Sequence, residues 1–222
     1  MLKRRSPTLY AAIITVMGLG VIYFGATRWG LLSAILQRLT PAPRVVCTPD
    51  ARIHQAPTTS LKTDQTLEKQ LPANFDRSKV SLLIEKSQYR LTVYYNQKPI
   101  KSYAAVFGDL SGDKRREGDR RTPEGILKIR DKYPHPHWSK FLWLDYPNAQ
   151  SQCKHDRAKQ RGDIPWSSTI GGEVGIHGVP TGEDALIDER RNWTLGCPSL
   201  KTKDINEVYE VVQVGTIVEI VN

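Results

Sequence analysis

Two stretches of the 222-residue chain, Val80–Glu85 (VSLLIE) and Tyr89–Tyr95 (YRLTVYY), decide its fold class. Both are rich in β-branched and aromatic residues, and a short polar Lys-Ser-Gln segment separates them, which is typical of a hairpin. In the second stretch the side chains alternate with the two-residue period of a half-buried strand. The sequence therefore predicts that the folded body opens with a pair of neighbouring strands.

Similar signals recur up to the end of the chain. Further strands are predicted at Ile100–Phe107, Ile126–Arg130, Leu142–Leu144, Val174–Ile176 and Thr216–Val221. One short helix is predicted before the last strand, with Asp204 as its cap and apolar residues at helical spacing, namely Ile205, Val208, Tyr209 and Val212. Many short strands with one or two short helices favour a mainly β fold, either a β-sandwich or a partly open barrel.

The N-terminal part of the chain differs from this body. Leu9–Thr27 contains no charged residue and, as a helix, would roughly span a bilayer core of about 30 Å. We expect a transmembrane helix at 9–28, preceded by a basic segment at 1–8 that weakly favours a cytoplasmic N-terminus. A cleaved signal peptide and a buried core helix remain open as alternatives.

Residues 29–78 are interpreted as a proline-rich tether. Prolines within it interrupt regular structure, among them Pro41, Pro43, Pro49 and Pro57. A weak helical pattern of leucines within it suggests packing against the body, and its members are Leu61, Leu67 and Leu71. The tether is too short to hold a second ordinary domain, so substrate recognition is assigned to the body.

Charge and composition exclude several classes of protein. The net charge is +9, and residues 1–44 hold six basic residues and no acid, which leaves +3 for residues 45–222. A body at +3 lacks the strongly basic face of a nucleic-acid binder, so no nucleic-acid partner is expected. Three cysteines do not reach a four-ligand zinc set, and no other metal-ligand spacing stands out.

The residues that carry chemistry lie in Gly175–Pro180 (GIHGVP) and Thr194–Leu200 (TLGCPSL). A cysteine nucleophile needs a base, because a free thiol with a pKa near about 8.5 is mostly protonated at neutral pH. Cys197 is the candidate nucleophile and His177 the candidate base. Pro198 has no N–H, so oxyanion donors would come from Cys197 and from Gly196 or Leu195. The competing interpretation is a packed core thiol beside a structural histidine.

These motifs resemble the L,D-transpeptidase catalytic domain (YkuD family) of bacterial cell-wall enzymes. The family carries a His-Gly pair and then Ser/Thr-x-Gly-Cys-x-Arg-Leu, which His177-Gly178 and Thr194-x-Gly196-Cys197-x-x-Leu200 match. The segment 118–125 (GDRRTPEG), the opening strands and the closing segment 215–218 are also similar to the family. The resemblance covers residues 79–222. It departs at Leu195, where the family usually has His, and at Ser199, where it usually has Arg.

The resemblance implies a fold and a reaction. The fold is an L,D-transpeptidase-like β-sandwich over residues 79–222, held outside the cytoplasmic membrane by the N-terminal helix. The reaction is acyl transfer from a peptidoglycan tetrapeptide stem through a Cys197 thioester, without metal or organic cofactor. His177 moves the proton, the backbone carbonyl of Gly178 orients His177, and the N–H groups of Gly196 and Cys197 hold the oxyanion. The expected substrate contacts are Thr194, Leu195 and Ser199.

Some points stay open at this stage. A second stem, an envelope lipoprotein or water would resolve the thioester, and a same-fold hydrolase and a non-catalytic wall-binding protein are the alternatives. In an oxidising compartment Cys47 and Cys153 are candidates to pair, which would leave Cys197 free. The run Lys114–Arg121 (KRREGDRR) is interpreted as a solvated loop or as a contact for acidic wall peptides. Residues 182–193 are either a lid or a surface turn.

Overall fold

The computed structural model describes residues 46–48, 51–58, 61 and 64–222. Within these residues the strands are β1 Val80–Glu85, β2 Arg90–Tyr95, β3 Lys98–Ala104, β4 Gly125–His135, β5 Ser139–Leu144, β6 Gly175–Gly178, β7 Ser199–Leu200 and β8 Ile217–Val221. The helices are α1 Leu67–Gln70, α2 Ala149–Gln160, α3 Ala185–Asp188 and α4 Thr202–Val211, with a 3-10 turn at Arg77–Lys79. The predicted mainly β class is confirmed.

The described strands form one mixed sheet in the order β3-β2-β1-β8-β4-β5-β6-β7. Only β1–β8 and β6–β7 are parallel among the paired strands of the described part. The long strand β4 joins two halves of the sheet, because it pairs with β8 up to Lys128 and with β5 from Ile129 onward. Its register shifts between Ile129 and Asp131, where a bulge bends a strand. The predicted sandwich is thus one folded sheet rather than two separate ones.

Isolated backbone bridges join the segment after β3 to the far edge of the sheet. Val106 pairs with Ser199 in β7, and Gly108 pairs with Thr194 just before it. Val106 and Ser199 exchange two hydrogen bonds, with N–O distances of 2.8 and 3.0 Å. Cys197 therefore lies where the segment that follows β3 meets the β7 edge of the sheet.

The hydrophobic core lies between the two halves of the sheet and beneath α4. It contains apolar residues from both halves, including Leu82, Ile84, Leu127, Leu142, Leu144, Val218 and Ile220. Helix α4 contributes Ile205, Val208 and Val211 to it. The predicted cap of this helix is wrong, because α4 begins at Thr202 and Asp204 lies inside its first turn.

Helix α2 is the longest element that the sequence does not predict. Its residues, AQSQCKHDRAKQ, are mostly polar and have no apolar face of the kind that marks a helix. The Asn148 side chain caps it by accepting a hydrogen bond from the Ser151 N–H at 2.9 Å. The helix buries Ser151, His155 and Ala158 against the body.

The described residues ahead of β1 pack against the domain. Leu67 and Leu71 are buried in the core, as the leucine pattern predicts. Cys47 forms a disulfide with Cys153 in α2, so the pairing expected in an oxidising compartment is confirmed. The expected transmembrane helix at 9–28 and the basic segment 1–8 lie outside the described residues. Among the residues that are described, no helix is long and apolar enough to cross a membrane.

Candidate active site

Strand β6 and the turn before β7 build a cavity of about 840 Å³. His177 lies in β6, between Phe141 of β5 and Ser199 of β7. Cys197 ends the turn that leads into β7. The structure therefore places the predicted base and the predicted nucleophile in the lining of the same cavity.

His177 is a buried imidazole held by a backbone carbonyl. Its Nδ1 lies 2.7 Å from the carbonyl oxygen of Gly178, so Nδ1 carries the proton and donates it. This is the orienting contact that the resemblance implies for Gly178. The contact requires glycine at 178, because a Cβ there would lie 2.6 Å from the carbonyl oxygen of Trp138. The Nε2 atom is left with a free lone pair for a proton.

Aromatic rings enclose the imidazole of His177, and this burial disfavours its charged form. Trp138 stacks on His177 with ring centroids 4.2 Å apart, and Phe141 lies parallel to it at 5.8 Å. Trp193 meets the imidazole with its edge at 5.6 Å. Burial lowers the pKa of His177 to about 4, although the hydrogen bond to Gly178 acts in the opposite direction. His177 is therefore neutral at physiological pH and able to accept a proton.

Cys197 carries a protonated thiol in the resting site. Its Sγ accepts a hydrogen bond from the Gly175 N–H at 3.5 Å and donates to the carbonyl oxygen of Glu173 at 3.7 Å. Burial raises the pKa of the thiol, and the Gly175 N–H and the charge of Lys114 oppose this only in part. The resting pair is thus thiol and imidazole rather than thiolate and imidazolium, so proton transfer belongs to the attack on substrate.

Thr194 organises the turn that presents the cysteine. Its hydroxyl donates to the Cys197 carbonyl oxygen at 2.6 Å and accepts from the Gly196 N–H at 3.2 Å. Gly196 has a φ of +142°, and a Cβ there would lie 2.7 Å from the carbonyl oxygen of Arg121. Only glycine fits this position without a shift of the neighbouring backbone.

The oxyanion donors differ in part from the prediction. The Gly196 N–H is already bonded to Thr194, so it is not free for a substrate oxygen in this state. Among the described residues, none accepts a hydrogen bond from the Cys197 N–H. Cys197 is therefore the better-placed oxyanion donor of the two that were predicted.

The two departures from the family motif have different positions. Leu195 lines the mouth of the cavity with 76% of its surface exposed, where a substrate can touch it. Ser199 is fully buried in β7 and is not part of the cavity lining. The predicted contact between Ser199 and substrate is therefore not supported. The Ser199 hydroxyl has no hydrogen-bond partner in the described part of the chain.

Sequence reasoning missed a buried cation in the cavity lining. The run that begins at Lys114 was interpreted as a solvated loop or as a contact for acidic wall peptides, yet Lys114 is 7% exposed and forms an ion pair with Asp119 at 3.0 Å. Burial alone would raise the pKa of Asp119, but backbone N–H groups and Lys114 hold it below its usual value. The N–H donors are those of Arg115 and Arg116, at 2.6 and 3.0 Å. The loop is therefore folded around the buried ion pair of Lys114 and Asp119 rather than solvated throughout.

The segment 182–193 forms an anchored wall of the cavity. Ile187 of α3 is buried in a small cluster with Val106 and Val179. Trp193, at the end of the segment, lines the cavity beside His177. The packing of Ile187 favours the surface-turn interpretation over a lid.

In the ranges that the structure describes, no three His, Cys, Asp or Glu side chains are grouped as metal ligands.

Comparisons with known proteins identify the family of this chain. Residues 79–220 match the family model of the L,D-transpeptidase catalytic domain, YkuD. Similar solved structures include Bd1075 of Bdellovibrio bacteriovorus, with 20% identity, a TM-score of 0.46, and coverage of 65% of this chain and 48% of that one. The helical cell shape determining protein Pgp2 of Campylobacter jejuni has 25% identity, a TM-score of 0.45, and coverage of 66% and 49%.

A third similar structure is L,D-transpeptidase 3 of Mycobacterium tuberculosis in complex with a faropenem-derived adduct. It has 14% identity, a TM-score of 0.44, and coverage of 65% of this chain and 60% of that one. The chain thus spans about half the length of the first two structures. No curated protein matches it in sequence. Because the family model covers most of the folded body, the chain belongs to the L,D-transpeptidase catalytic domain family, YkuD.

Proposed function

We propose that this protein is a membrane-anchored cysteine acyltransferase of the bacterial cell wall. It cleaves the bond between the L-centre and D-alanine in a peptidoglycan tetrapeptide stem and transfers the acyl group to an amine. The observation that carries the proposal is the shared cavity of Cys197 and His177, with the imidazole tautomer set by Gly178. Membership of the family supports a peptidoglycan peptide as the substrate.

The first half of the reaction forms the thioester. The Cys197 sulfur attacks the carbonyl carbon of the L-centre while Nε2 of His177 takes the thiol proton. The negative charge that develops on the carbonyl oxygen is held by the Cys197 N–H. The carbon–nitrogen bond then breaks, and the imidazolium gives its proton to the departing amine of D-alanine.

The second half transfers the acyl group. An amine of a second stem, or of an envelope lipoprotein, attacks the thioester and gives a proton to the neutral His177. The carbon–sulfur bond breaks, and the cysteine sulfur takes that proton back. The products are a 3-3 crosslink or a protein attached to the wall, and the enzyme returns to its thiol and imidazole state.

The location of the enzyme is part of the proposal. The segment 9–28, which is uncharged up to Thr27, would hold the protein in the cytoplasmic membrane, with the catalytic domain on the outer or periplasmic side, where peptidoglycan lies. The disulfide between Cys47 and Cys153 supports this side, because disulfides persist in oxidising compartments.

The test is incubation of the full chain with disaccharide tetrapeptides, followed by mass spectrometry of the products. Wild type should release D-alanine and form 3-3 linked dimers, whereas Cys197→Ala should do neither. Shortened tripeptide monomers without dimers would replace the transferase with a hydrolase of the same fold. Release of D-alanine by Cys197→Ala at the wild-type rate would contradict the proposed nucleophile.

A further inference from the structure

Lys114 is the one lysine or arginine in the lining of the catalytic cavity, among the residues that the structure describes. The acidic residues of that lining are Glu117 and Glu173. The Lys114 side chain is only 5% exposed, so its charge is shielded from bulk water by the protein. A cation in such a place interacts with a bound anion more strongly than a surface lysine does.

The ammonium group of Lys114 has donor capacity to spare. Its Nζ carries three N–H donors. One is directed at Asp119 at 3.0 Å and one at the carbonyl oxygen of Arg116 at 3.1 Å. No third acceptor lies within hydrogen-bond distance among the described residues, and Lys114 borders the cavity. One donor is therefore free for a ligand.

Asp119 does not cancel this charge. Its two carboxylate oxygens also accept the backbone N–H groups of Arg115, Arg116 and Arg121, at 2.6, 3.0 and 3.2 Å. The Asp119 carboxylate is thus shared among three backbone N–H groups and Lys114, rather than being paired with Lys114 alone. The positive charge acts as far as the reacting sulfur, where it opposes the rise in the pKa of Cys197.

The cysteine motif itself supplies no cation to the cavity, because Thr194–Leu200 contains no lysine or arginine. The free carboxylate of a tetrapeptide that lies nearest the scissile bond is that of the terminal D-alanine, one residue away. A lysine near the sulfur is suited to this group, because a charge-assisted hydrogen bond is roughly twice as strong as a neutral one.

We propose that Lys114 binds the terminal carboxylate of the acyl donor and so selects peptides that end one residue after the scissile bond. This inference rests on the proposed function, because the carboxylate belongs to its substrate. Lys114 is then a specificity-determining residue of the reaction, delivered by a loop that is far from Cys197 in sequence.

The kinetic test compares two stem tetrapeptides that differ only at the C-terminus, one with free D-alanine and one with D-alanine amide. For the full-chain wild type, kcat/KM should be roughly 10- to 100-fold higher for the acid, the range of one charged hydrogen bond. The double variant Lys114→Met/Asp119→Asn removes both charges and leaves no buried carboxylate unpaired. It should bring the ratio of kcat/KM for the acid to that for the amide to about one, whereas a change in the reactivity of Cys197 alone would alter both peptides equally and leave that ratio as in wild type.

A matched control uses another lysine–aspartate pair outside the cavity. Lys154 pairs with Asp113 at 2.9 Å, and neither residue borders the catalytic cavity. Lys154→Met/Asp113→Asn should keep the wild-type preference for the acid. An equal loss on both peptides in the Lys114 variant would make Lys114 merely structural and overturn the inference. An amide cleaved as fast as the acid by wild type would overturn it as well.

A binding test separates this inference from the proposed reaction. On the Cys197→Ala background, calorimetry should show the acid binding roughly 10-fold more tightly than the amide, and Lys114→Met/Asp119→Asn should abolish the difference. If wild type cleaves neither peptide but this difference is present, the proposed function fails and the carboxylate site stands. If both peptides bind equally, the carboxylate site fails whatever the activity is.

Discussion

The described residues contain two pairs of a histidine and a nucleophilic side chain, and we propose a reaction site at only one of them. Besides Cys197 and His177, Nε2 of His54 lies 2.7 Å from the hydroxyl of Ser81, and Nδ1 of His54 lies 2.8 Å from Glu219. By these distances the second cluster has the arrangement of a hydroxyl, imidazole and carboxylate triad. The first pair has no carboxylate, since Gly178 orients its imidazole.

The surroundings of the two pairs explain the difference. Ser81 lies in β1, which is paired on both sides with β2 and β8, so the neighbouring backbone N–H groups belong to the sheet. Ser81 borders a smaller cavity of about 410 Å³ and has no oxyanion donor beside it among the described residues. Cys197 lies in a turn, faces a cavity and has a free N–H.

The second cluster fastens the chain ahead of β1 onto the sheet. Glu219 accepts hydrogen bonds from the N–H groups of Ile53 and His54 and forms an ion pair with Arg52 at 2.8 Å. We therefore expect no acyl transfer at the second cluster, because triad distances alone do not supply an oxyanion donor. Of the two sites, Cys197 is the one with an unpaired backbone N–H in the described part of the chain.

The largest expected effect is the difference in kcat between variants of Cys197 and Ser81. Cys197→Ala should lower kcat for D-alanine release by roughly 10⁴-fold or more, because the bond-forming atom is lost. Ser81→Ala should leave kcat unchanged, and the two variants are compared by quantifying free D-alanine. A strong loss in Ser81→Ala at unchanged stability would break the contrast.

The next largest effect is the expected difference in kcat/KM between variants of His177 and His54. His177→Gln is expected to lower kcat/KM by roughly 10²- to 10⁴-fold, the usual contribution of a general base. His54→Gln, in the fastening cluster, should retain wild-type kcat/KM in the same assay. Equal losses in both variants would mean that His177 acts through stability rather than through proton transfer.

The pH dependence of stability should reveal the buried imidazole. The pKa of His177 is lowered by burial from 6.5 to about 4, so between these values the unfolded state binds more protons than the folded state. Stability therefore rises with pH in this window and is lost as the pH falls from 6.5 towards 4, by up to about 3 kcal/mol at roughly 1.36 kcal/mol per pKa unit.

Urea denaturation at several pH values measures this slope. The free energy of unfolding of wild type minus that of His177→Gln should be constant above pH 6.5. This difference should shrink as the pH falls from 6.5 towards 4. A pH-independent difference would show that the pKa of His177 is the same in the folded and the unfolded protein, which would contradict its lowering by burial.

The smallest effect concerns the fastening cluster. Glu219→Gln keeps the shape of the side chain but removes the charge shared by Arg52 and His54. It should lower the free energy of unfolding by about 1–3 kcal/mol, the cost of disrupting a buried charged hydrogen bond. Thermal denaturation checks this, and kcat should stay at the wild-type value.

The parts of this molecule that the sequence predicts are those with local signals. The strand at Val80–Glu85 and the apolar face of α4 follow from periodicity, and His177 and Cys197 follow from two short motifs. The polar helix α2 could not be predicted, because its cap and its contacts, rather than an apolar face, stabilise it. The burial of Lys114 likewise depends on backbone N–H groups that gather around Asp119 only after folding.

The most direct test of the central claim is intact-protein mass spectrometry of the full chain with a carbapenem, which acylates an activated nucleophile. Wild type and Ser81→Ala should each gain one adduct, the adduct should map to the peptide that contains Cys197, and Cys197→Ala should gain none. An adduct on Ser81, or an unmodified wild type, would contradict the assignment of the acyl-transfer site to Cys197 and His177.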